Sequence, residues 1–280
     1  MKTAVSGIPS SNIQTIEIFC PFRSYAFIKE QIGQCKVKKR LELYMAVLLL
    51  VAVCLLSRRG AVLVNSLNAQ KEKPCIVLDA GHGGDDPGKV GVHGELEKDI
   101  NLSIVKLLEK KLTDAGVAVV LTRNSDQGLD DPGSSNHKVS DMRNRCELID
   151  KTKPEFTVSI HQNSYPEEPI SGAQCFYFGQ SAAGKELAEV LQEKLRQRLN
   201  PDNHRQAKAN ESYYLLKKTS SPTVIVECGF LSNSAESELL STEEYQDKVA
   251  QAICEGILEY LGIEVQDATE AVITTEATEL

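Results

Sequence analysis

Three residues in separate parts of the chain share a setting that suits chemistry. His82 follows an apolar run and sits in D-A-G-H-G-G; His161 ends E-F-T-V-S-I-H, with Asn163 two residues on; Glu227 ends T-V-I-V-E. Each closes a stretch of β-strand composition, and in open α/β sheets ligand sites form beyond the carboxyl ends of the strands. Two imidazoles at one rim point to a metal. Neutral imidazole is a common zinc ligand, and a catalytic zinc takes three protein ligands and keeps a fourth position open. A glycine-rich turn after a strand could instead cradle phosphate, but G-H-G-G has neither the G-x-G-x-x-G spacing nor a P-loop lysine. The third ligand is to be sought among Asp85, Asp86, His93, Glu95 and Glu97, all after the first apolar run. Residue type alone does not choose among them. Glu97 begins a helical stripe, so it can equally be a first-turn carboxylate complementing the helix dipole. Glu227 is costly to bury unless it binds metal, pairs with a cation or carries a raised pKa. Beside a metal it could take a proton from water and deliver it to a leaving amine; the plainer alternative is a salt bridge to Arg145 or Arg123.

The elements that must position these residues can be read from hydrophobic period. C-I-V-L-D-A-G (75–81), A-V-V-L-T-R (118–123), 155–161, 172–179, 212–219 and 223–230 have strand patterns. Ile100, Ile104, Leu107, Leu108 and Leu112 form one helical stripe over 99–115; further helices are expected at 140–152, 182–199 and about 242–261. The polar stretch 124–138 is expected to be a loop. Strands alternating with helices predict an α/β fold: one domain over 72–262 with a mostly parallel, twisted sheet of about six strands, flanked by helices on both faces.

The net charge of −8 is unevenly spread, +6 over residues 1–59 and −14 over the remainder. An acidic body argues against a nucleic-acid partner, whose binding would rest on Lys and Arg. Within the basic leader, Lys36, Lys38, Lys39 and Arg40 precede the apolar run Tyr44–Leu56. That layout predicts a signal anchor or signal peptide over 41–64, with the body outside the cytoplasmic membrane. Residues 1–40 are then a cytosolic leader, or the true start lies further along. The 263–280 tail holds five acidic residues and no basic ones, and is expected to be disordered. The body's cysteines, Cys75, Cys146, Cys175, Cys228 and Cys254, form no C-x-x-C pair and suggest buried thiols rather than a disulfide framework or a zinc finger.

Taken together, L-D-A-G-H-G-G-D-D-P-G…H-G-E-L-E-K-D-I-N-L, T-V-S-I-H-Q-N-S and I-V-E-C-G-F-L-S-N resemble the zinc-dependent N-acetylmuramoyl-L-alanine amidases, with D-M-R-N-R-C-E-L-I-D holding an arginine, Arg145, at a familiar place. The resemblance runs from about Cys75 to Leu261. It implies one Zn2+ per chain held by His82, Glu97 and His161, with Glu227 as the catalytic glutamate. It implies hydrolysis of the amide between N-acetylmuramic acid and the L-alanine of the stem peptides on peptidoglycan glycan strands. S-G-A-Q-C-F-Y-F-G and Y-Q-D-K-V-A-Q-A-I-C-E-G-I-L-E-Y-L, with the anchor-plus-domain layout, look like the germination-specific spore-cortex amidases of the CwlD type. Those relatives imply a place between mother cell and forespore, action ahead of muramic-δ-lactam formation, and a lipoprotein partner of the GerS kind. A vegetative autolysin of the same family, a non-catalytic wall-binding protein and a zinc carboxypeptidase are the alternatives.

Overall fold

The computed structural model describes residues 73–264, together with a few helical residues between Tyr44 and Val53. The expected leader 1–40, most of the expected anchor 41–64 and nearly all of the tail 263–280 therefore lie outside the described residues. Among the described residues, no helix is long and apolar enough to cross a membrane.

The body runs β1 (Cys75–Ala80), α1 (Glu97–Asp114), β2 (Ala118–Leu121), α2 (His137–Thr152), β3 (Thr157–Asn163), β4 (Gln174–Tyr177), α3 (Ala182–Leu199), β5 (Lys208–Ala209), α4 (Tyr214–Lys218), β6 (Thr223–Phe230), α5 (Ser234–Leu240) and α6 (Glu243–Leu261). The six strands lie in the order β2-β1-β3-β6-β4-β5. The expectation of a mostly parallel sheet is corrected: the sheet is mixed. β2, β1, β3 and β6 run parallel, but β4 pairs antiparallel with β6, and β5 follows β4. The connection explains the reversal. A parallel neighbour needs a long crossover, usually helical, whereas 164–173 carries Pro166 and Pro169, forms no helix and brings the chain straight back.

Two further expectations are revised. The segment 212–219 is not a strand; it contains the short helix α4, and the sixth strand is the two-residue β5. Asn210 Oδ1 accepts from the backbone of Ser212 and Tyr213 at 2.8 and 2.9 Å and turns the chain. Leu215 and Leu216, adjacent rather than alternating, then both become buried. α5 was unforeseen, although Asn233, whose side chain accepts from Glu236 N, is an N-cap with an acid three residues on.

Strand alternation sorts the central residues into two faces. Ile76, Leu78, Ala80, Val158, Ile160, Val224, Val226 and Cys228 face the main core with side chains of α1, α3 and α6. Each fully buried Leu or Ile there contributes roughly 1.5–3 kcal/mol of transfer free energy. The opposite face carries Val77, packed against Cys146 and Ile149 of α2 and Leu215 of α4. By the same alternation it also carries Asp79, Ser159, His161, Ile225 and Glu227. Register completes the placement, setting His161 directly opposite Glu227 on β3 and β6, and Asp79 opposite Ser159 on β1 and β3.

Candidate metal centre and active site

The functional candidates converge at the carboxyl edge of β1, β3 and β6. Donor atoms of His82, Glu97 and His161 all lie within 4.8 Å of one another. Glu97, the first residue of α1, is buried and stands between the rings. Its Oε1 lies 3.2 Å from His82 Nε2 and 3.0 Å from His161 Nδ1. The backbone N–H of Gln162 also donates to Oε1 at 3.1 Å, and that of Lys89 to Oε2 at 2.7 Å. Burial alone would raise the Glu97 pKa, but the hydrogen bonds and charges of His161 and His82 outweigh it and hold the carboxyl well below the usual range. His82 is shifted the other way: burial lowers its pKa, and Glu97 and then Asp86 raise it further than that.

The His82 ring is fixed from behind, since its Nδ1–H donates to Asp86 Oδ2 at 2.9 Å. That leaves Nε2 toward Glu97, the carboxylate–histidine arrangement that orients metal-binding imidazoles. His82 itself has φ 65°, a left-handed conformation uncommon for a residue with a Cβ. Two buried guanidiniums hold the strained turn. Arg145 donates to Ala80 O at 2.8 Å, His82 O at 2.6 Å and Asp79 Oδ1 at 2.7 Å. Arg123 donates to Ala80 O at 2.9 Å and Gly81 O at 3.0 Å. Neither is spent on Glu227, so the salt-bridge alternative for that carboxylate fails. Asp79 completes the layer. Burial pushes its pKa up, but Arg145, Ser159 and Thr122 bring it down to about 2.

The other residues weighed as third ligand point elsewhere. Asp86 supports His82, while Asp85 is exposed. His93 meets Ser234 O at 3.3 Å, and Glu95 accepts from Ser237 Oγ at 2.9 Å. Asn163 accepts from its neighbour Ser164 N.

Glu227 is 6% exposed. Burial raises its pKa to about 7, with the His161 charge opposing and that of Glu97 adding. Its Oε1 accepts from Tyr213 Oη at 3.4 Å, and its Oε2 is buried with no partner among the described residues. All four candidates line a cavity of about 320 Å³, walled on another side by Met142, Tyr213, Tyr214 and Leu215. Sequence reasoning missed Tyr213, hidden in a supposed strand, and the orienting roles of Asp86 and Gln162. Asp79 had left a signal, as a carboxylate within an apolar strand.

A metal ion fits this cluster. A His, Glu, His donor set is a known catalytic-zinc set, and the buried carboxylate already gathers positive partners. The turn is also shaped around the donors. A Cβ on Gly81 would lie 2.2 Å from His161 Cε1, and one on Gly88 would lie 2.6 Å from Glu97 Oε2 and 2.7 Å from His82 Cδ2.

Fold and site together suit a hydrolytic enzyme of α/β build, with one buried carboxyl held well below the usual range and another raised to about 7. Comparison with known proteins makes this specific. The sequence model of the family described as N-acetylmuramoyl-L-alanine amidase matches residues 76–259, and the chain belongs to that family. The germination-specific N-acetylmuramoyl-L-alanine amidase of Bacillus subtilis is 41% identical over 189 residues, covering 66% of this chain and 78% of that protein. Among solved structures, the CwlD amidase from Clostridioides difficile, in complex with the GerS lipoprotein, superposes with a TM-score of 0.66 at 38% identity, covering 69% of this chain and 100% of that one. The amidase AmiC2 of Nostoc punctiforme gives a TM-score of 0.60 at 34% identity, covering 68% of this chain and 98% of that one.

Proposed function

We propose that the protein is a zinc-dependent peptidoglycan amidase of the spore cortex. It would cleave the amide between N-acetylmuramic acid and the L-alanine of the stem peptide, as the first step toward muramic-δ-lactam. His82, Glu97 and His161 would hold the ion, and Glu227 would carry the proton. The observation that carries this reading is the pairing of Glu97, shared by two imidazoles, with Glu227, buried across the same cavity and titrating near neutrality. Zinc bound there supplies Lewis acidity toward the amide carbonyl and the attacking water. Glu227, as carboxylate, takes the water's proton and passes it to the departing L-alanine nitrogen, a role that needs a pKa close to the working pH. Asp86 keeps the His82 Nε2 lone pair turned inward, and Arg145 and Arg123 keep the turn in place. The likeness to the germination-specific enzyme supports the cortex assignment, a location outside the cytoplasmic membrane in the forespore intermembrane space, and a lipoprotein partner of the GerS kind.

Replacing Glu227 with Gln keeps shape and removes the proton carrier. Release of stem peptides from purified cortex is expected to fall roughly 10²–10⁴-fold, with zinc retained at one ion per chain. Undiminished release would overturn the mechanism, and a deletion strain whose cortex still contains δ-lactam would overturn the cortex assignment.

A further inference from the structure

Glu227 is a buried carboxylate with unusually little support. Its one side-chain hydrogen bond among the described residues is the 3.4 Å contact from Tyr213 Oη, and Oε2 has none. A buried polar group left unpaired is costly, so a carboxylate held this loosely is held for something other than stability.

Tyr213, by contrast, is firmly seated. Its backbone N–H donates to Asn210 Oδ1 at 2.9 Å, and its ring meets Phe176 edge-on, with centroids 5.6 Å apart at 84°. Phe176 on β4 is register-paired with Ile225 on β6, two residues before Glu227. The ring's support and the carboxylate therefore grow from adjoining strands, and the tyrosine reaches Glu227 from a fixed base. Burial and the nearby Glu227 charge push the phenol up to about 12, so it remains a donor across the working pH range.

We propose that Tyr213 is a positioning residue for Glu227: its hydroxyl engages Oε1 and so leaves Oε2 as the oxygen that takes up and gives back the proton. This rests on the reading of Glu227 as proton carrier. A phenol donates to Oε1 whether Glu227 is carboxylate or acid, provided the acid proton sits on Oε2. One hydrogen bond can thus aim the group through both halves of the reaction. The length of 3.4 Å fits an arrangement that tightens when substrate fills the cavity, as catalytic hydrogen bonds commonly do.

The test is a double-mutant cycle on the zinc-loaded full chain, with kcat and KM measured separately on cortex glycan. Tyr213→Phe keeps the ring and its packing on Phe176. It should lower kcat roughly ten- to a hundredfold, the scale of a lost hydrogen bond to a charged group, with KM within about twofold and zinc content and thermal midpoint unchanged. In a Glu227→Gln background, whose turnover is expected at roughly a hundredth to a ten-thousandth of wild type, the same substitution should change kcat by less than about twofold, because the group it aims is gone. An equal loss in both backgrounds would overturn the proposal, since Tyr213 would then act on substrate or on the fold. An unchanged kcat in the single variant would also overturn it. Full activity of Glu227→Gln alone would sink the proton-carrier reading first and this proposal with it, so the two failures are told apart.

Discussion

Gly81 separates β1 from His82 and offers a clean perturbation of the cluster. Its φ is not in the left-handed region, so alanine suits the backbone and, by restricting the unfolded chain, would ordinarily stabilise by roughly 0.4–1 kcal/mol. What bars a side chain is the His161 ring. The added Cβ would lie 2.2 Å from Cε1, 2.4 Å from Nε2 and 2.7 Å from Nδ1. Non-bonded carbons prefer separations of about 3.5–4.0 Å, so the ring must retreat by more than about 1 Å. Metal–ligand distances tolerate only about 0.2 Å. Gly81→Ala should therefore cost one of three ligands. The fall in zinc affinity should exceed the roughly 10–100-fold seen when only a ligand's support is altered, while the metal-free protein stays folded. Competition with a chromophoric chelator measures the affinity, and thermal unfolding of the metal-free protein reports the fold. Gly94→Ala is the comparison, because nothing lies within 4 Å of its Cβ but its φ is +94°. That variant should lose about 1–3 kcal/mol of stability to backbone strain and keep its zinc. Wild-type zinc affinity in Gly81→Ala would refute both the steric argument and the assignment of His161 as a ligand.

Asp86→Asn removes the carboxylate behind His82 while keeping an acceptor. Zinc affinity should fall roughly 10–100-fold, with little change in the thermal midpoint of the metal-free protein. Asp79→Asn tests the buried layer. The Asp79 pKa of about 2 lies below the ordinary aspartate value of 3.8, and such a depression corresponds to about 2–3 kcal/mol of stability. Because the folded pKa is the lower one, that stability is fully present above the unfolded pKa and is lost as pH falls through the folded pKa. Urea unfolding should thus separate wild type from variant by at least this amount at pH 7, more where Arg145 is left unpaired, and the gap should narrow between about pH 4 and 2. A gap independent of pH would refute the linkage.

How much of this was legible in the sequence follows from which interactions are local. D-A-G-H and S-I-H mark the close of β1 and β3, because a run of apolar residues stopped by a polar one is a local pattern; V-E reads the same way, but β6 continues through Cys228 and Gly229 to Phe230 and leaves Glu227 within the strand. Placing all three at one rim needed only the rule for α/β sheets. Choosing Glu97 over Asp85, Asp86, His93 and Glu95 was beyond residue type, since all five follow the same strand and only the turn's path decides which one reaches the imidazoles. The resemblance to a known family made that choice, and the structure brings Glu97 between the rings. Strand direction was not legible at β4, where the connection, rather than the strand's own composition, reverses the chain. Tyr213 and Tyr214 look like strand residues because aromatic content favours β structure, and the preference is overridden by a local turn, in which Asn210 Oδ1 accepts from the backbone two and three residues on, that the apolar pattern masked. Arg145 had been weighed only as an alternative partner for Glu227; it pairs instead with Asp141, one helical turn before it, and with Asp79, 66 residues away, and only the first of these leaves a spacing signal.

The two glutamates show how one cavity can hold opposite acid strengths. Glu97 and Glu227 are both buried and both line one cavity, so desolvation pushes each pKa upward. What separates them is where donors lie. Glu97 begins a helix and meets two imidazoles and two backbone N–H groups, so its charged form wins. Glu227 is mid-strand, its own backbone spent in the ladder, and it meets one distant phenol, so desolvation wins. Environments that drive neighbouring carboxyls apart assign their roles: the permanently ionised one suits a cation, and the one near neutrality suits a proton. Exchanging the roles would require moving a helix N-terminus rather than changing a residue, which is why the α1 start and the β6 register together, more than either glutamate alone, specify this site.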